Sequence, residues 1–403
     1  MRRFRKVLLA LAILLVLSQL PFVYRRYNLG RLNARIQVVN SNRQPSQNPN
    51  YSEYKGVMHV HSFLGGHSRG SFIDIISAAR ANQLDFVVMT EHAEQDIDTA
   101  AMTLKGTHGG VLFINGNEVS TAAGDRLLVV PGDTDLREAS KLATAEVAAK
   151  ARTHGALSFV AYPEEFKSWE MGEFDGVEVF NVYSNARQIN PVFAVFDVLW
   201  SQRAYPALLF ATFYTKPTEN LKKWDAALAR RRLTATAGND AHANVGVSLN
   251  DGSGKTLVGL QLDPYETSFR LVRLHVLIER GQTLDNNTLM GAIKQSHCFI
   301  GFDLLGDTTG FNFTAETAGG TRIQGDEINL QPNTRLRVDL PVSARVVLLK
   351  NGQVWVDENA VTSKTVDVTE AGVYRVEAYL PQLGKPAGEQ PWIISNPIYV
   401  KGL

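Results

Sequence analysis

The 403-residue chain has one cysteine, Cys298, so no intrachain disulfide can staple it in any compartment. It has no excess of charge of either sign, because 41 Lys and Arg stand against 40 Asp and Glu. That balance argues against a nucleic-acid surface as the main function. The apolar run Val7 to Leu20 lacks a small-x-small pattern to close it, and basic residues lie on both sides of it: Arg2, Arg3, Arg5 and Lys6 before, Arg25, Arg26, Arg31 and Arg35 after. The positive-inside rule therefore does not fix its orientation.

What is there begins with that run. Extended through Tyr24 it covers about 18 residues, close to the minimum for crossing a bilayer, whereas its core alone fits a signal-peptide h-region. Residues 1–24 are read as an uncleaved membrane anchor with the bulk of the chain outside the cytoplasm, periplasmic or extracellular. A cleaved signal peptide and secretion are the alternative. Residues 25–50 are expected to be a linker, since Gln37 to Asn50 holds almost no large apolar groups. Roughly 350 residues then remain, enough for one large domain and a smaller one.

From Gly56 to Gly301 strand-like and helix-like segments alternate. Met58 to His61 is followed by Ser71, a good N-cap, and a helix over Phe72 to Asn82; Asp85 to Thr90 reads as a buried strand. Val111 to Ile114, Arg126 to Val130, Leu157 to Ala161, Gly176 to Phe180, Leu208 to Phe213 and Thr234 to Thr236 continue the strand pattern, and Ala139 to Thr153 reads as a helix stopped by Gly155. Such repetition predicts an α/β fold with a mostly parallel sheet. His92, Glu118, Asn181, Asp240 and His242 each follow an apolar strand, the position of catalytic groups on the rim of α/β barrels.

His59 and His61 stand two apart in an apolar run, and on a regular strand both imidazoles leave by one face. His67 follows across Gly65-Gly66, where a loop can fold back. Alone, the stretch fits two core histidines and a surface one equally well. Asp240-Ala241-His242 repeats the same spacing with a carboxylate. The set His59, His61, His67, His92, Glu118, Asp240 and His242 suits zinc, manganese or iron and is too large for one ion of coordination four to six, so more than one divalent metal is implied. His108, His154, His275 and His297 lack such company and are read as surface or structural.

These pieces in order, His59-Val60-His61 with His67, Thr90-Glu91-His92, Gly116-Asn117-Glu118, Asp175 to Asn181 and Gly238 to His242, resemble the PHP (polymerase and histidinol phosphatase) family of metal-dependent phosphoesterases. The resemblance covers residues 51–303 and implies a distorted (β/α)7 TIM-like barrel with two or three metals. Carried over by position, His59, His61, Glu118 and Asp240 would hold one ion and His67, His92 and His242 another, with Glu118 able to bridge to a further one. Two positions depart from the family. Tyr162 stands where a histidine is usual, and Asp125 stands where a second is expected. Both belong to the ion that Glu118 would share, which is expected to be weak or absent, with Asp125 the replacement ligand and Tyr162 a poor one.

Two further residues are candidate catalytic groups. Arg69 could fork onto a phosphate or carboxylate, or simply sit in water; Glu91 could act as acid or base, or orient His92. After Gly301 short alternating segments and the Asn351-Gly352 hairpin signal predict a small β-sandwich accessory domain over 304–403. The tail Pro391 to Tyr399 also resembles the end of PHP hydrolases that carry such a module. The expected function is an extracytoplasmic metal-dependent hydrolase of small-molecule or polymer-linked esters, most simply a phosphoesterase. Ester or carbamate cleavage, and a binding protein on a PHP barrel that has lost activity, are the alternatives.

Overall fold

The computed structural model describes residues 2–186, 191–244, 246–250, 256–261 and 263–402. The strand carrying His59, β1 (Tyr51–Val60), lies at the centre of a mixed sheet. Its second half is fully buried and pairs in parallel with β2 (Phe86–Met89) on one side and with Thr234–Ala241 on the other. β2 pairs with Val111–Ile114, and their continuations, β3 (Glu91–His92) and Asn117–Ser120, pair in the same sense. Asn117–Ser120 then pairs antiparallel with Arg126–Val130, and Arg126–Val130 with Leu157–Ala161. From Leu157–Ala161 the pairing is parallel through Gly176–Asn181 to Thr234–Ala241, which returns it to β1. The sheet is therefore mixed: of the pairings just named six are parallel and two are antiparallel. The tight turn through Asp125 sends Arg126–Val130 straight back along its neighbour, where a helical crossover would have kept the strands parallel.

The helix after β1 forms as the sequence predicts. α2 (Phe72–Ala81) opens on a capping box in which Ser71 Oγ accepts from the Asp74 N–H at 3.2 Å and Asp74 accepts from the Ser71 N–H at 2.9 Å. Thr144–Thr153 is a helix that ends before Gly155, whose φ of +76° only glycine adopts freely. The strand expected over Leu208 to Phe213 is instead the helix Pro206–Ala211, which Pro206 starts at its first position.

The expected linker over 25–50 is helical through Ser41. α1 (Arg2–Ser41) is one continuous helix whose apolar first half is exposed, while Phe22, Leu29, Ile36 and Val39 are buried. Those residues share one face, spaced seven, seven and three apart. Arg25 pairs with Asp197 at 2.6 Å, and Arg35 Nη1 donates to the Leu383 carbonyl at 2.6 Å, so the second half docks onto both the N-terminal and the C-terminal parts of the folded body. Within the expected linker, only residues 42–50 are non-helical.

The C-terminal residues form strands that are antiparallel except for Glu327–Asn329, which pairs in parallel with Ile398–Lys401. Arg335–Lys350 and Gln353–Asp367 make the long hairpin that Asn351-Gly352 signals, with φ of +51° and +77° in the turn. The join to the N-terminal part is a strand pairing: Phe299–Gly301 runs antiparallel to Ile393–Ser395. Buried Asn396 strengthens it, accepting from the Ala235 N–H at 2.7 Å and donating to the carbonyls of Ala235 at 3.1 Å and Cys298 at 2.8 Å. One contiguous apolar core runs from Leu29 to Val400.

Candidate metal centre

Regular alternation does not deliver the first ligands. His59 has φ +64°, and the register of β1 against both neighbours shifts at this point, the signature of a bulge. The bulge turns His59 towards His61, ring centroids 5.1 Å apart, and both are fully buried. Asp240 at φ +48° and Tyr162 at φ +50° bring two more site residues in through left-handed backbone. Such conformations cost about 1–3 kcal/mol each and persist where the surroundings hold them.

The side chains converge tightly. His59 Nε2 lies 3.2 Å from Glu118 Oε2 and 3.5 Å from Asp240 Oδ1; His61 Nε2 lies 3.4 Å and 3.6 Å from the same two oxygens. His59, His61, Glu118 and Asp240 thus form a buried cluster, with ligand atoms within 4.8 Å of one another, able to hold a metal ion. A second such group is His61, His92 and His242. His67 closes its outer side, His92 Nε2 and His67 Nε2 being 3.1 Å apart and the His67 ring stacking on His242 at 4.7 Å. All seven sequence-identified ligand candidates are therefore brought together, with His61 standing between the two groups.

Atoms that face the centre lack partners among the described residues. His61 Nδ1 and Nε2, Asp240 Oδ1 and His242 Nε2 are buried without a hydrogen bond among the described residues. Buried polar atoms are rarely orphaned, and His61 Nε2, Asp240 Oδ1 and His242 Nε2 are acceptors that fit a cation. Charge agrees. Burial lowers the His61 pKa well below its ordinary value and the neighbouring imidazoles lower it further, leaving a neutral ring with a lone pair to give. Burial likewise lowers His92 to about 4, against the pull of Glu118. Burial alone would raise Glu118, but His59, His92 and Arg126 hold it ionised at about 2.

Behind the ligands lies a set of buried partners. Glu178 Oε2 accepts from His59 Nδ1 at 2.8 Å, Asn181 Nδ2 donates to Glu178 Oε1 at 2.7 Å, and the His242 Nδ1–H donates to the Asp240 carbonyl at 3.0 Å. Each fixes a ring tautomer so that Nε2 faces the centre. Reasoning from sequence gives Glu178 no role, yet the signal is present: one acid inside the otherwise apolar strand Gly176–Asn181 needs a buried partner.

The remaining candidates are placed as follows. Asp125 is engaged elsewhere and joins neither ligand group: its carboxylate accepts from Thr144 Oγ1 at 2.8 Å, from the Lys167 N–H at 2.7 Å and from Ser168 Oγ. Tyr162 Oη donates to Asp240 Oδ2 at 2.6 Å; burial and then the Asp240 and Glu118 charges push its pKa up, so it stays a protonated donor. Glu91 is fully buried and accepts from the Ser62 N–H at 2.9 Å and Thr103 Oγ1 at 2.7 Å, which ties down the start of the His67 loop. Arg69 is exposed, and its backbone N–H donates to the His242 carbonyl at 3.3 Å. A cleft of about 350 Å³ opens beside His92 and Glu118, lined also by Glu94, Asp96, Ser120 and Arg137. Of the other histidines, His275 and His297 pair with Glu53 and Asp326 at 2.7 and 2.9 Å, while His154 is exposed.

No protein-family model matches the chain, and no curated protein matches it. Among solved structures it is similar to a two-domain protein from Bacteroides vulgatus described as containing a predicted PHP-like metal-dependent phosphoesterase, at 13% identity over 88% of this chain and 98% of that one, TM-score 0.42. It is similar also to PsfC from Pseudomonas syringae, at 16% identity over 60% and 88%, TM-score 0.37. A metal-dependent phosphoesterase from Bifidobacterium adolescentis gives 15% identity over 50% and 92%, TM-score 0.29. These likenesses are distant.

Proposed function

We propose that the chain is a membrane-anchored, extracytoplasmic metal-dependent hydrolase of the PHP type, most simply a phosphoesterase. The observation that carries this reading is the buried convergence of His59, His61, Glu118 and Asp240 beside His92 and His242, with ring nitrogens and a carboxylate oxygen left without proton donors. Strand pairings that return to β1 support a (β/α)7-type barrel over 51–303, with 304–403 as an accessory β-sandwich. The anchor is supported by the long, apolar and almost wholly exposed first half of α1.

His59, His61, Glu118 and Asp240 would hold one divalent ion; His92 and His242, with His67 on the open side, would hold another of zinc, manganese or iron type. Ions so bound supply acidified water and a Lewis acid for the scissile ester. The chain's own groups do the rest. Glu178 and the Asp240 carbonyl hold His59 and His242 in the tautomers that point Nε2 inwards. Tyr162 and Asn181 keep Asp240 Oδ2 occupied and so aim Oδ1 at the centre. Glu91 positions the loop that carries His67, and Arg69 is available on that loop to take a substrate oxygen. The substrate is a small-molecule or polymer-linked ester.

Turnover of an aryl phosphate and a neutral aryl ester, before and after chelation and after adding back zinc, manganese or iron, tests the reading. Chelator-sensitive hydrolysis restored by a metal is expected. Hydrolysis indifferent to chelation, or none with any metal, would overturn it.

A further inference from the structure

The place where Glu118 would share a third ion is taken by a side chain. Arg126 Nη1 donates to Glu118 Oε1 at 3.0 Å, so the carboxylate that gives Oε2 to the histidine cluster gives its second oxygen to a guanidinium. Arg126 lies over the Tyr162 ring at 5.2 Å, and Tyr162 donates to Asp240. Asp125, beside it in sequence, is engaged by Thr144 and Lys167. Among the described residues no third group of ligands gathers on this side, and a divalent ion would sit against a fixed positive charge. The Arg126 side chain is 42% exposed, and its only hydrogen bond among the described residues uses one of five N–H groups.

From this geometry we propose that Arg126 is the anion-binding group of the centre, a fixed cation in place of a third metal whose free N–H groups take an oxygen of a phosphate ester. The proposal rests on the metallohydrolase reading and narrows it to anionic substrates. A guanidinium is suited to this because it is always charged and presents paired donors to two oxygens at once. Anchored to Glu118 on one edge, it loses little freedom when a phosphate docks on the other.

The test uses the full-length protein with its metals, inorganic phosphate as the probe, and the variants Arg126→Gln and Arg126→Lys. Metal content, phosphate affinity by calorimetry, and KM and kcat for an aryl phosphate and a neutral aryl ester are read together. Arg126→Gln is expected to keep its metals, to weaken phosphate binding about tenfold or more, and to raise KM for the aryl phosphate in step while leaving KM for the neutral ester in place. Arg126→Lys, which keeps the charge without the fork, should recover part of the phosphate affinity. Metal-loaded Arg126→Gln with unchanged phosphate affinity overturns the assignment, as does a variant whose only defect is metal loss rescued by lysine. A wild-type chain that holds no metal overturns the hydrolase reading itself.

Discussion

Glu178 Oε2 lies 2.8 Å from His59 Nδ1, and the room for that contact is made by Gly238, where a Cβ would stand 2.0 Å from the same oxygen. A buried carboxylate of this kind holds a ligand histidine in register and raises its basicity. Glu178→Gln is predicted to weaken metal binding roughly ten- to a hundredfold with the fold intact, because such partners typically contribute that much. Gly238→Ala should do the same by displacing Glu178. Titration with a metal-sensitive dye checks both.

Asp240 serves the centre through Oδ1 and is steadied by Tyr162 through Oδ2. Asp240→Ala should remove metal and activity together. Tyr162→Phe should leave the metal content unchanged, since the phenol is a donor to Asp240 and not a ligand. Loss of an ion from Tyr162→Phe would contradict that role.

Asn396 joins the two halves of the chain through three buried hydrogen bonds. Asn396→Ala would leave Ala235 and Cys298 groups unsatisfied and is predicted to cost about 2–4 kcal/mol in chemical denaturation. A chain ending at residue 303 would also expose Phe299–Gly301 as an unpaired edge and should aggregate. Cooperative folding of that fragment would show the β-rich part to be dispensable.

His275 is fully buried between Glu53, 2.7 Å from Nδ1, and Asp303, 3.3 Å from Nε2, with Arg273 also on Asp303. Burial alone would lower its pKa, but the two carboxylates raise it to about 9 from the ordinary 6.5. A raised folded pKa means that the charged pair stabilises fully below pH 6.5 and is lost as pH climbs through 9. The loss is on the order of 3 kcal/mol. Unfolding free energies across that window should fall in the wild type and stay flatter in His275→Gln.

If the apolar half of α1 is the proposed anchor, intact protein should sediment with membranes and resist alkaline extraction. Its folded part should be open to protease only from the extracytoplasmic side. Full-length protein recovered in the soluble cytoplasm would refute it.

Much of this was legible in the sequence because ligands fall at strand ends, where apolar runs stop abruptly at His92, Glu118 and Asp240. The bulge at His59 was not, since a left-handed histidine leaves no mark in an alternating pattern. Docking of α1 was hidden by the polar residues around Leu29, Leu32, Ile36 and Val39, although their spacing of three, four and three is helical. Arg126 was unreadable for a different reason: a charge at the start of a strand is usually solvated, and only the fold shows that its neighbour is Glu118.

The most direct measurement is the metal content, by mass spectrometry, of full-length protein purified without added ions. About two ions per chain are predicted, bound without help at the third position and lost in Asp240→Ala. Three ions bound stoichiometrically, or none retained by the wild type, would contradict the centre described here.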